Sequence, residues 1–209
     1  MKSFNLFFSG AFALLLAAGC SNEKPSAPAV PAAVTNQSSA TPSAKEVAVI
    51  TTSEGVMVLE FYPDVAPNHV ANFEKLARSG FYDGTALHRV IPGFMIQGGD
   101  PNTKNEAAKD SWGMGGPGYT VNAEFNSKHH ARGILSMARA NDPNSAGSQF
   151  FICQADCGQL DGQYTVFGNL IKGFDVLDKI ATAATEPPDR PIKRINIDSI
   201  KIVPADSVK

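Results

Sequence analysis

A mainly β domain, a barrel or sandwich of short strands with two helices, is the fold this sequence predicts. Three observations lead there. Apolar and β-branched residues recur in short runs, with no long periodic stretches in the domain. Turn signals rich in glycine and proline separate those runs, drawing on 18 glycines and 14 prolines. Only two segments carry the 3.6-residue apolar stripe of an amphipathic helix.

The composition bounds the rest. With 209 residues, 43% hydrophobic and 18% charged, the chain can bury a real core in one or two domains. Lys and Arg number 18 against 20 Asp and Glu, a net charge of −2, which speaks against a nucleic-acid partner. Three cysteines do not make a disulfide scaffold, and four histidines leave little for a metal site. No stretch reaches the ~18 continuous apolar residues of a membrane span.

The first residues are not fold. Met1-Lys2 supplies a positive start, Phe4 to Ala18 is mostly apolar, and the small residues Ala17-Ala18-Gly19 run into Cys20. This is the layout of a secretory signal peptide over residues 1–19. Its end resembles the lipobox of bacterial lipoproteins, with Ala17 where Leu is commonest. The resemblance implies cleavage before Cys20 and lipidation of that residue, hence membrane attachment through an acylated Cys20. Cleavage without lipid would leave Cys20 a stray thiol. Ser21, where Asp is absent, points within that family to the outer membrane and so to a periplasmic location. Residues 20–45 contain Pro25, Pro28, Pro31 and Pro42 among small polar residues, and read as an extended, disordered tether. The folded domain is expected over residues 46–205.

Within it, Glu46–Thr52 and Val56–Phe61 fit two strands around the turn Ser53-Glu54-Gly55, a hairpin. Pro67 suits a helix start, and Val70, Phe73, Leu76 and Ala77 form a stripe ending at Gly80. Short strands follow at Ala86–Val90, Phe94–Gly98, Ile134–Ala138, Gln149–Cys153 and Tyr164–Gly168. A second helix spans about Phe174 to Ala181, with Val176, Leu177 and Ile180 facing inward. The closing strand holds Ile195, Ile197, Ile200 and Ile202, and the slip of one residue after Ile197 is what a bulge produces.

Alternation sets Arg89 on the face opposite His88 and Val90, and places a cation near the apolar Phe94 and Met95 and the polar Gln97. Phe150 and Phe151, being adjacent, point to opposite faces; either one is explained by core packing alone. His88 with Ser145 or Ser148 imitates a hydrolase pair, without the G-x-S-x-G elbow or an acidic third member. His129-His130 reads as a solvated loop, and the Gly-rich run Gly113 to Gly118 as turn structure without the Lys-Ser/Thr of a phosphate loop. Cys153 and Cys157 admit either a disulfide or two free thiols.

Taken together, Leu87-His88-Arg89-Val90-Ile91-Pro92-Gly93-Phe94-Met95-Ile96-Gln97-Gly98-Gly99-Asp100 resembles the signature of the cyclophilins, peptidyl-prolyl isomerases. Ser136-Met137-Ala138-Arg139, Gly147 to Ile152, Leu160-Asp161-Gly162 and Val166-Phe167-Gly168 continue the match in order, over about Glu46 to Val203. The resemblance implies a closed eight-stranded antiparallel barrel capped by two helices. It makes Arg89 the catalytic residue, with Gln97 holding it. It gives Phe94, Met95, Phe151 and Leu160 to the proline pocket and Gln149 to the groove. Ala138 and Arg139 become the strand edge that pairs with substrate, and Tyr164 a cover over the ring. The implied substrates are proline-containing polypeptides, among them exported proteins in need of folding, with no cofactor, no metal and a monomeric chain. Gln159 replaces the Trp of cyclosporin-sensitive members, which implies weak binding of that drug; Trp112 lies elsewhere, in the Gly-rich loop. The other reading is a binding module of the same fold, which would not need Arg89.

Overall fold

A computed structural model describes residues 45–208. The leader, Cys20 and the tether up to residue 44 lie outside the described residues.

Strands β1 (Glu46–Thr52) and β2 (Gly55–Phe61) form the expected hairpin, paired from Val47 with Glu60 to Thr52 with Gly55. Thr52 closes its turn: Oγ1 donates to Gly55 O at 2.7 Å and accepts from Glu54 N and Gly55 N. Helix α1 (Pro67–Arg78) follows with Pro in its first turn, where no N–H is needed. No side chain of its own sequence neighbourhood caps it. Glu124, far along the chain, does so instead, accepting from Asn68 N and His69 N at 3.1 and 2.9 Å.

Then come β3 (Thr85–Leu87), β4 (Arg89–Ile91), β5 (Met95–Gly98), β6 (Ile134–Met137), β7 (Phe150–Cys153) and β8 (Thr165–Lys172). Helix α2 (Phe174–Ala181), the two-residue strands β9 (Thr185–Glu186) and β10 (Arg190–Pro191), and β11 (Ile195–Pro204) complete the domain. Nine strands make one antiparallel sheet in the order β3-β11-β1-β2-β8-β6-β7-β5-β4. Its two end members are consecutive in the chain, separated only by His88, whose N–H bonds Gln97 O at 3.0 Å. The sheet therefore closes on itself through Leu87-His88-Arg89. Nine strands are found where eight were implied because the strand expected over Ala86–Val90 is broken at His88.

The bulge in the last strand is present. Thr51 faces Ser199 but Thr52 faces Ile197, so Asp198 is the extra residue, and Ile197 and Ile200 both stay buried. Strand β8 extends beyond Gly168 to Lys172. There a second slip, Val58 facing Lys172 and Leu59 facing Leu170, leaves Ile171 exposed and breaks the alternation that would have revealed the strand.

Phe73 of α1 sits at the middle of the barrel core, 5.2–5.8 Å from the rings of Phe61, Tyr82, Phe150 and Phe167. Helix α2 adds Leu177 and Ile180, while Val176 is only half-buried, at the rim above Gly55. A second, smaller apolar cluster lies apart from this core: Met95, Ile134, Phe151, Cys153, Cys157 and Val166. Adjacent Phe150 and Phe151 thus serve two cores, the first inside the barrel and the second outside its wall.

Candidate active site

Strand register assembles the site. Arg89 faces Gln97 across β4 and β5, Gln97 faces Phe151 across β5 and β7, and Phe151 faces Ser136 across β7 and β6. Directly opposed residues share a face, so one row across four strands carries a cation, an amide and an aromatic ring. Around this row opens a cavity of about 610 Å³. Arg89, Phe94, Met95, Gln97 and Phe151 line it, and so do Ala138, Arg139, Leu160 and Tyr164. Gln149 faces an adjoining cleft instead, along the Gly-rich loop.

Among the described residues no hydrogen bond joins Gln97 to Arg89. Its Nε2 donates to Gln149 Oε1 at 3.0 Å, and Gln149 Nε2 donates in turn to Gly113 O and Gly115 O. Arg89, about half exposed at 43%, places Nε 3.4 Å from Asp189 Oδ2. Arg139 likewise turns its side chain to the protein rather than to open groove. Its Nε donates to Gln163 O, its Nη1 to Ala140 O, and its guanidinium stacks on Tyr164. Tyr164 stands edge-on to Phe151, ring centres 5.7 Å apart, and so forms a wall beside it. Ala138 N–H bonds Gln149 O at 2.9 Å, fixing this edge against β7.

The strand break at His88 also breaks the expected alternation: His88 and Arg89 both line the cavity. Burial, outweighing the nearby Asp100 carboxylate, pushes the His88 imidazole below its usual range, and neither ring nitrogen has a partner among the described residues. Neither Ser145 nor Ser148 bonds it. Ser148 Oγ donates to Gly99 O, and Ser145 Oγ to Asp142 O.

His130 departs from the solvated-loop expectation. It is fully buried, with Nδ1 2.8 Å from Asp161 Oδ1, Nε2 3.0 Å from Ser136 Oγ, and its ring stacked on Phe151 at 6.1 Å. His129 is exposed and bridges Asp161 and Asp156 at 2.6 and 2.8 Å, contacts that raise its pKa to about 9. The pair locks the loop bearing Leu160 to the back of the pocket. Cys153 and Cys157 are two free buried thiols.

Sequence reasoning missed the opposite wall. Trp112, Pro187, Pro188 and Arg190 line the same cavity. Trp112 was visible as the single Trp of the chain, but nothing local placed the Gly-rich loop beside Arg89. Asp100 does so: buried under that loop, it accepts from Asn102 N at 2.8 Å and from Gly113 N.

The model of the cyclophilin-type peptidyl-prolyl cis-trans isomerases matches residues 47–202, essentially the whole barrel. The chain belongs to that family. This cyclophilin is 43% identical over 151 residues to a peptidyl-prolyl cis-trans isomerase of Arabidopsis thaliana, covering 72% of this chain and 92% of the relative. It is 45% identical over 157 residues to a probable peptidyl-prolyl cis-trans isomerase of Brucella abortus, covering 69% and 79%. Among solved structures it resembles a Cryptosporidium parvum cyclophilin-type isomerase obtained in the presence of the dipeptide Ala-Pro. That match has TM-score 0.68 and 37% identity, and covers 75% of this chain and 98% of that one. The activity of this cyclophilin is peptidyl-prolyl cis-trans isomerisation.

Proposed function

We propose that Arg89 catalyses rotation about Xaa-Pro bonds by binding the twisted amide better than either planar isomer. Rotation faces ~18–20 kcal/mol because the nitrogen lone pair is delocalised into the carbonyl. Neither nucleophile nor proton transfer is needed, only stronger binding of the transition state. As the bond twists, the proline nitrogen turns pyramidal and can accept a hydrogen bond. A guanidinium, always charged and rich in donors, can provide it. Phe94, Met95, Phe151 and Leu160 take the ring, Tyr164 closes over it, and the edge at Ala138 and Arg139 holds the flanking backbone.

The observation that carries this reading is the register row, which sets Arg89 in one cavity with Phe151 and Met95. The Ala-Pro dipeptide of the Cryptosporidium relative supports proline-containing polypeptides as substrates. Cis/trans exchange of an Ala-Pro-Phe peptide, measured with the purified chain and with Arg89→Ala, tests it. The variant is expected to lose roughly tenfold or more, at least ~1.4 kcal/mol of transition-state stabilisation. Equal acceleration by both chains overturns the role of Arg89, and binding without acceleration by either leaves a binding module.

The signal-like residues 1–19 and Cys20 support a second part of the proposal. The enzyme is exported, lipid-anchored through Cys20 at the periplasmic face of the outer membrane, and assists folding of exported proteins as a monomer. Intact mass after membrane extraction tests the anchor: an unmodified mature chain removes it. Gln159 is exposed and absent from the cavity wall, which supports weak cyclosporin binding.

A further inference from the structure

A guanidinium on a long, half-exposed side chain is useful to a twisted amide only if its N–H groups are aimed. Among the described residues the hydrogen-bond partner of Arg89 is Asp189, 100 positions along the chain, with Nε 3.4 Å from Oδ2. Asp189 is itself anchored. Its carbonyl accepts the N–H of Val90 at 2.9 Å, so the strand that carries Arg89 is tied to Asp189 through backbone and side chain together. It lies at the tip of the β9–β10 hairpin. Arg190 clamps that hairpin by placing Nε and Nη2 each 2.8 Å from Glu186 Oε1. The φ of Asp189 is +75°, the one positive value at a non-glycine residue among those described. Aspartate is among the few side chains that tolerate that region. Such conformations persist where the surroundings over-determine them, and they cluster at functional sites.

We propose that Asp189 is a positioning residue for Arg89. Its carboxylate takes the Nε–H and leaves the four Nη hydrogens of the guanidinium to face the cavity. An exposed ion pair of this length adds little to stability; what it sets is direction, which a donor to a developing lone pair requires. The inference rests on Arg89 being the catalytic donor.

Two substitutions separate geometry from folding. Asp189→Gly removes the carboxylate while keeping the left-handed backbone accessible, and Asp189→Asn keeps an acceptor in the same place. Each is made in the intact chain, and Asp189→Gly also in the Arg89→Ala background, with thermal melting recorded beside peptide exchange. Asp189→Gly is expected to lower kcat by roughly three- to tenfold with KM within about twofold, from lost alignment. Asp189→Asn should recover most of that loss, and in the Arg89→Ala background Asp189→Gly should add nothing. Wild-type kcat in Asp189→Gly, a loss confined to KM, or the same loss without Arg89 overturns the inference. If Arg89→Ala alone keeps full activity, the catalytic reading has failed and this inference falls with it. A damaged Arg89→Ala beside an intact Asp189→Gly rejects Asp189 alone.

Discussion

The guanidinium carbon of Arg139 lies 4.7 Å from the centre of the Tyr164 ring, its Nε donates to Gln163 O, and its Nη1 donates to Ala140 O and Asn141 O. One side chain thereby joins the edge at Ala138 to the aromatic wall of the cavity. Arg139→Ala is expected to lower kcat/KM by roughly three- to tenfold, chiefly through KM, since a cation–π contact and its bonds are worth on the order of 1 kcal/mol. Arg139→Lys should not restore it: a point charge cannot stack on the ring and serve several carbonyls at once. Steady-state exchange at varied peptide concentration separates the two constants.

Gln149 joins three segments, accepting from Gln97 and donating to Gly113 and Gly115. Replacing it by Leu strands both carbonyls and the Gln97 amide. A loss of about 1–3 kcal/mol in stability is expected, as for partly buried polar groups left unpaired. Urea unfolding measures it. Amide hydrogen exchange should show the largest gain over Gly113 to Gly118, and an unchanged exchange pattern there would contradict the tie.

The histidine cluster sets the pH dependence of stability. Hydrogen bonds donated first to Asp161 and then to Asp156 raise His129 from 6.5 to about 9. Its folded pKa lies above the unfolded one, so its contribution is whole below pH 6.5 and lost as pH rises through 9. The carboxyl of Asp161, held well below the usual range chiefly by His129, has the opposite sign: its contribution is present above the ordinary carboxylate pKa and lost in acid. Buried His69, His88 and His130 add to the acid loss, because burial keeps each neutral while the unfolded chain takes up protons. His129→Gln should therefore flatten the decline expected between pH 6.5 and 9 in wild-type urea midpoints. All three partners of the bridge are exposed, so salt should weaken the effect.

Gly99 joins β5 to the loop that Asp100 anchors. Its φ is +88°, and an added Cβ would overlap Ser148 O while meeting Phe150 Cδ1 at 3.0 Å. Gly99→Ala is expected to cost about 2 kcal/mol or more, combining backbone strain with a clash against a barrel strand. A thermal melt within a degree or two of wild type would count against the close approach.

Much of this protein was legible along the chain. Period-two apolar runs marked the barrel strands, period-3.6 stripes marked α1 and α2, and the slipped isoleucines revealed the bulge at Asp198. The pocket residues Phe94, Met95, Gln97 and Phe151 came from the resemblance to the cyclophilin signature, because alternation along their strands left Phe151 equally well explained by core packing. Where an element defied its local pattern, the cause lay elsewhere in the fold. Strand β8 ran past Gly168 because the bulge opposite β2 turned Ile171 outward, and His130 was drawn inside by Asp161 and Ser136.

The sequence by itself determined the class of fold, the identity of the cation and the apolar residues beside it. Only the tertiary structure decided how the barrel closes through His88 and which residue pairs with Arg89. The same is true of Trp112 in the far wall and Glu124 capping α1. The physical reason is common to all of these. Periodicity along one strand selects a face at the scale of neighbouring residues, whereas the partner across that face is chosen by register and closure between segments a hundred residues apart.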